Sequence, residues 1–290
     1  MTIMTTGFIP CGAKMPIIAL FAGALFGGSA LVATSAYFIG VAAVVISGIM
    51  LKKFKAFAGE PAPFVMELPA YHAPSASNVL RSMWERGWSF IKRAGTIILL
   101  STIILWFLSN FGFADGGFGW VEDSDASLLA AVGSVIAVIF IPLGFGNWQA
   151  AVATITGLIA KEEVVSTMQV FYPGDLIANI AMAFTAASAY SFMVFNLLCA
   201  PCFAAMGAIK REMNNAKWTW AAIGYMCGFA YVASLIVYQL GGLFTGAVTF
   251  GVWTVVALAA LAAIIYLLVR KGYQGEDRSR QLSSVAAAAR

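Results

Sequence analysis

Residues 247–269 read AVTFGVWTVVALAALAAIIYLLV, twenty-three residues without a charge, and Arg270 and Lys271 follow at once. A helix rises 1.5 Å per residue, so this run is long enough to cross the roughly 30 Å hydrocarbon core of a bilayer. The pattern repeats outward from there. Residues 218–241 form another apolar run, preceded by Lys210, Arg211 and Lys217. Runs bounded by charge, Gly or Pro recur at about 15–27, 30–51, 94–113, 127–144, 148–170 and 177–198, which makes eight membrane segments. The first is short enough for a half-helix or re-entrant segment, and the fourth ends at Pro142 and Gly144.

Composition supports the same class. Of 290 residues, 61% are hydrophobic and 10% charged, against about 25% charged in soluble domains. That balance excludes a water-soluble fold and a disordered chain. The net charge of +4 is too small, and too tied to topology, for nucleic-acid binding. The fold class expected is all-α: a polytopic helical membrane protein.

Fifteen of the seventeen Lys and Arg residues fall in residues 52–93, 210–217 and 270–290, on alternate connections between the runs. The intervening connections carry none, and one holds Asp115, Glu122, Asp123 and Asp125. The positive-inside rule then places residues 52–93, 199–217 and 270–290, and both termini, in the cytoplasm. Met1–Pro10 lacks a basic region and no A-x-A-like site follows, so no signal peptide is expected. Its opening reads like the middle of a longer membrane domain. Residues 59–74 hold Pro61, Pro63, Pro69 and Pro74, which prevents a helix, and His72 there is an ordinary loop residue. Leu80, Met83, Trp84, Trp88 and Ile91 recur at helical spacing over 77–93. They predict a helix in the cytoplasmic interface that feeds into the span at 94.

Chemistry concentrates at two places. Lys161, Glu162 and Glu163 lie within an apolar run, where a charge at the bilayer centre costs about 2.5–3.5 kcal/mol. They are either an internal Lys–Glu pair that locks two helices or a substrate site with a net charge of −1 that suits a cation. Glu162, Ser166 and Gln169 share one helical stripe, and Thr156, Glu163 and Thr167 the next. The second place is Cys199-Ala-Pro-Cys202, where Pro201 breaks the helix. Pro10-Cys11-Gly12 repeats the arrangement before the first segment, and paired helix breaks point to a transporter binding site. The thiols are either packed small side chains or soft ligands for a transition metal. A disulfide is not expected on the reducing side, and Cys227 reads as packing within its span. No G-x-x-x-x-G-K-[ST] and no nucleophile–base pair occurs in these residues, so no enzyme activity is expected.

Several longer strings resemble FeoB-type ferrous iron transporters. They are Gly59-Glu-Pro-Ala-Pro-Phe-Val-Met-Glu-Leu-Pro-Ala-Tyr-His-Ala-Pro74; Trp84-Glu85-Arg86 with Phe90 and Ala94-Gly95; Leu143-Gly-Phe-Gly-Asn-Trp148; Gly157-Leu-Ile-Ala-Lys-Glu162; and Cys199-Ala-Pro-Cys202 followed by Ala208-Ile-Lys-Arg-Glu212. The resemblance covers about residues 8–270. It implies two inverted gate-type repeats: residues 1–27 end the first, and 94–212 form the second. Between them, 28–93 comprise a membrane helix, the Pro-rich loop and the interfacial helix. Residues 213–270 are a C-terminal helix pair and 271–290 a cytoplasmic tail. The resemblance implies transport of Fe(II) as substrate with no stably bound cofactor, in a bacterial inner membrane. Cys11, Cys199, Cys202 and Glu162 would touch the metal, while Lys161 and Glu163 tune the local charge. Glu163 departs from the apolar residue commoner at that position. The family's GTP-binding domain and most of the first repeat are expected as a separate or upstream partner portion, and membrane lipid and a homo-oligomer are the other expected partners. Two other readings stay open: a gate-type transporter of nucleosides or other solutes, and a membrane scaffold that recruits a GTPase through residues 52–93.

Overall fold

A computed structural model describes residues 2–54, 57, 75–114, 117–121 and 127–270. The Pro-rich loop with His72, the acidic residues Asp115, Glu122, Asp123 and Asp125, and the tail after Arg270 lie outside the described residues. Among the described residues the elements are helical except for one small hairpin. In order come α1 (Thr2–Thr6), a 3-10 turn (Gly12–Lys14), α2 (Met15–Phe26), α3 (Ala30–Lys52) and α4 (Ala76–Asn110). Strands β1 (Phe111–Ala114) and β2 (Gly117–Trp120) pair antiparallel, with Phe111 opposite Trp120. Then follow α5 (Leu128–Phe140), a 3-10 turn (Ile141–Leu143), α6 (Trp148–Ile159), α7 (Glu163–Phe171) and α8 (Leu176–Ala183). The chain finishes with α9 (Ala186–Leu198), α10 (Phe203–Met213), α11 (Ala216–Thr245) and α12 (Val252–Val269).

Among the described residues, four stretches are long and apolar enough to cross a membrane: Ala30–Lys52, Ala186–Met213, Ala216–Thr245 and Val252–Val269. Leu128–Leu143 and Trp148–Ile159 meet at a 97° bend and make a fifth if taken as one broken span. The protein is thus a polytopic α-helical membrane protein, but eight continuous segments are not recovered. The run 148–170 breaks at Ala160–Glu162, and the run 177–198 breaks at Phe184–Thr185. At 12 residues α2 is a half-helix, about 18 Å long. Conversely, the interface helix and the span after it are one 35-residue helix, α4. Nothing stronger than Gly87 and Gly95 interrupts it, and a mid-helix glycine costs only about 1 kcal/mol. Leu80, Met83, Trp84, Trp88 and Ile91 are exposed on its first half, where Trp84 stacks on Trp88 and Arg81 pairs with Glu85.

The core sits on α9. Every residue from Ser191 to Leu198 is buried, between α11 on one side and α2 and α3 on others. Phe192 meets Phe21, Phe145 and Phe184. A buried polar ladder ties this core to the α5–α6 bend. Ser191 Oγ donates to the Leu143 carbonyl at 2.8 Å and shares a 2.7 Å hydrogen bond with Ser234 Oγ. Gln239 Nε2 donates to the Pro142 carbonyl at 2.8 Å, and Thr254 Oγ1 donates to Gln239 Oε1. These side chains satisfy carbonyls that the bend removes from regular helix pairing. Gly144 makes the turn itself at φ +86, and a Cβ there would stand 2.1 Å from the Tyr238 ring. Asn147 then caps α6 by accepting from the Ala150 amide.

Three basic helix ends lie together. Lys53 Nζ donates to the Leu268 carbonyl, joining the ends of α3 and α12, and Phe57 packs on Trp218 at the start of α11.

Candidate substrate cavity at the helix breaks

Three helix breaks face one another. The first follows α1. Amides of Phe8 and Ile9 bond back to Thr5 and Thr6, Pro10 prevents continuation, and Cys11 stands in extended backbone before the Gly12–Lys14 turn. Helix α3 approaches this break through Gly40, where a Cβ would stand 2.9 Å from the Phe8 carbonyl. The second break follows α9. The Cys199 amide closes the last turn on Phe195, Pro201 lacks the donor to go on, and Cys202 is the extended residue before α10. The third is Ala160–Glu162 between α6 and α7, where Ala160 is extended at φ −146, ψ 133. Cys11 and Cys202 thus hold equivalent places, each a cysteine after a proline and just before a new helical turn.

The first two breaks, with Lys161 of the third, surround a cavity of about 400 Å³. Its polar lining is Thr6, Cys11, Lys14, Lys161, Cys202 and Glu212, set among apolar side chains such as Ile3, Ile9 and Ile209. Both lysines are buried. Lys14 Nζ donates to the Gly7 carbonyl at 2.9 Å and reaches the Ile9 carbonyl at 3.5 Å, so backbone freed by the first break solvates its charge. Lys161 Nζ donates to Cys199 Sγ at 2.9 Å, and both residues are 1% exposed. The Cys199 thiol in turn reaches the Asn196 carbonyl at 3.6 Å. Lys14 and Lys161 thus bring two ammonium groups to one cavity wall, and like charges there repel.

The residues expected at the site separate into two groups. Cys11, Cys202 and Lys161 line the cavity, and Cys199 lies behind Lys161. Glu162 is exposed at the start of α7 and Glu163 is half-buried, and neither lines the cavity. The internal Lys161–glutamate pair that the sequence allowed does not form, because adjacent residues on a turn point apart and the ammonium turns to sulfur. The stripe of Glu162, Ser166 and Gln169 faces outward. On the neighbouring stripe, Thr156 and Thr167 share a 3.1 Å hydrogen bond that ties α6 to α7. Among the described residues, no three His, Cys, Asp or Glu side chains are grouped to hold a metal ion. Lys14 and Glu212 line the cavity but were not assigned to it from sequence, and Cys227 does not line it.

Broken helices meeting at a cavity inside an apolar bundle define a gate-type membrane domain, the architecture in which transporters place their substrate sites. The comparisons agree and go further. Residues 91–216 match the Gate family model, described as nucleoside recognition, and residues 33–86 match the model for the ferrous iron transport protein B C terminus. The chain is 38% identical over 248 residues to a protein named Fe(2+) transporter FeoB from Staphylococcus aureus (strain COL), covering 84% of this chain and 36% of that relative. Identity is 37% to the protein of that name from Methanocaldococcus jannaschii, covering 84% and 37%. It is 32% to the one from Salmonella typhimurium (strain LT2), covering 96% and 43%. No solved structure matches. Over most of its length the chain is similar to proteins named Fe(2+) transporter FeoB, and it spans well under half the length of those relatives.

Proposed function

We propose that this chain forms the C-terminal, membrane-embedded part of a ferrous iron permease, with Fe(II) as its substrate and no resident cofactor. The observation that carries this reading is the meeting of Cys11 and Cys202, from two separate helix breaks, at one cavity among apolar helices. Fe(II) has middling affinity in the divalent series and accepts thiolate and carboxylate donors. A few thiols spread along a path, without a closed cage, suit an ion that must bind and leave. In this reading Cys11 and Cys202 meet the ion in the cavity and Cys199 meets it beyond. Glu162 and Glu163 act on its approach from outside the cavity wall, and Glu212 supplies a carboxylate on the wall itself. Lys161 sets the local charge. The permease lies in a bacterial inner membrane with both termini cytoplasmic. A GTP-binding portion and the rest of the first gate repeat complete it, and any GTP hydrolysis resides there.

Anaerobic uptake of radiolabelled Fe(II) tests the reading in cells without other iron importers. The chain is expressed alone and alongside a separately supplied N-terminal portion of a relative. Uptake with the supplement is expected, and Cys11→Ser and Cys202→Ser should each lower it severalfold. Unchanged uptake in Cys11→Ser, Cys199→Ser and Cys202→Ser alike removes the ligand roles. The description of the Gate model favours one other reading, a nucleoside or related solute as cargo. Metal-insensitive solute uptake that survives loss of the cysteines would support it.

A further inference from the structure

The cavity contains Lys161 in its wall but not Cys199. The Cys199 sulfur lies behind the Lys161 ammonium, 2.9 Å from Nζ, and both residues are 1% exposed. We propose that Lys161 is a tethered cation that occupies Cys199 and that a divalent ion must displace to reach this thiol. The inference rests on the reading that a metal ion enters the cavity.

Three observations lead to it. First, the ammonium has no carboxylate partner within salt-bridge distance among the described residues, although Glu162 and Glu163 follow it directly in sequence. Its side-chain partner is the Cys199 sulfur. Second, the pair joins two helix breaks. Lys161 stands in the α6–α7 break and Cys199 opens the α9–α10 break, so a shift of either break parts them. Third, the only other cation on the cavity wall among the described residues, Lys14, is held by the Gly7 and Ile9 carbonyls, and none of these residues gives Cys11 or Cys202 an ammonium of its own.

An ammonium and a divalent ion cannot share one sulfur in a medium of low dielectric, because their repulsion there far exceeds its value in water. Binding at Cys199 and the Lys161–Cys199 contact are therefore mutually exclusive. The thiols fill in order: Cys11 and Cys202 are open to the cavity, and Cys199 follows once Lys161 has swung away. Lys161 is a positioning residue that sets when Cys199 becomes available. The opposite role, an ammonium that activates the thiol toward metal, predicts the opposite response to its removal.

Co(II) serves as a spectroscopic probe, because each thiolate it gains strengthens its sulfur-to-metal charge-transfer absorption. The purified full chain is titrated anaerobically with Co(II), and the Cys199 component is identified as the part lost in Cys199→Ser. Lys161→Met keeps the length of the side chain and removes the charge. It should tighten the Cys199 component by about tenfold or more, the scale of one charge-assisted hydrogen bond, while Lys161→Arg leaves it weak. An unchanged or weakened component in Lys161→Met overturns the proposal. Should that variant fail to fold, the unmutated chain answers the question: Co(II) should raise labelling of Lys161 by an amine-directed reagent. Unchanged labelling while the band develops overturns it equally. A band from Cys11 and Cys202 that persists in either case keeps the metal reading intact, whereas no cobalt–thiolate band at all overturns both.

Discussion

At the scale of single residues, Gly144 and Asn196 make opposite predictions. Gly144 adopts φ +86, and its missing Cβ leaves room for the Tyr238 ring. A left-handed conformation costs an L-residue about 1–2 kcal/mol, and overpacking typically adds about 1–3. Gly144→Ala should lower the thermal midpoint of the detergent-purified chain clearly, and adding Tyr238→Leu should return the steric part. An unchanged midpoint would mean that the ring yields freely. Asn196 is fully buried, and its Nδ2 donates to the Phe192 carbonyl at 3.1 Å. Its Oδ1 has no hydrogen-bond partner. A buried acceptor left without a donor costs about 1–3 kcal/mol, so Asn196→Leu should hold or raise the midpoint, and a fall would reveal a ligand on that oxygen. Asn196 carries no mark in the sequence, where it is one polar residue in an apolar run. Cys11, Cys202 and Lys161 were legible because a proline beside a cysteine, or a charge in an apolar run, has few peaceful explanations. Lys14 escaped assignment because its partners are backbone carbonyls, which no pattern of side chains reports.

Elements show what kind of signal a sequence carries. Breaks that contain proline or glycine were readable: Pro142 with Gly144, Pro201, and Pro10. The breaks at Ala160–Glu162 and Phe184–Thr185 were not, since neither holds either residue and the apolar runs continue across them. Their cause is tertiary, and caps such as Thr185, whose side chain accepts from the Ser188 amide, take over once the helix has stopped. At α4 the sequence marked an interface helix feeding into a span, and with no breaker between them the two form one continuous helix. The ladder beneath the α5–α6 bend offers the test at this scale. Ser191 Oγ serves the Leu143 carbonyl and Ser234 together. Ser191→Ala should cost about 1–3 kcal/mol by orphaning buried groups. Ser191→Ala with Ser234→Ala should cost less than the sum of the single changes, because the two share a hydrogen bond. Additive losses, measured by thermal or denaturant unfolding, would show that the two hydroxyls act independently.

For the whole molecule, orientation is the property that the charges and the packing constrain jointly. The charge pattern assigns the ends near Lys53, Lys217 and Arg270 to one side of the membrane, and the contacts of Lys53 with Leu268 and of Phe57 with Trp218 bring those ends together independently. Helices α11 and α12 are joined by the uncharged segment 246–251, which then lies opposite. The last turn of α10 carries Lys210 and Arg211, where basic residues also suit the negative end of the helix dipole. In the proposed orientation the basic ends lie inside, on the positive-inside rule. Single cysteines placed at Asn215 and at Thr249, in a chain whose native cysteines are changed to serine, should therefore label from opposite sides. A membrane-impermeant thiol reagent added to intact cells should reach Thr249→Cys and spare Asn215→Cys until the membrane is opened. The reverse pattern would invert the proposed orientation. Labelling of both in intact cells would mean that α11 does not cross, and the cavity could not then lie on a path through the membrane.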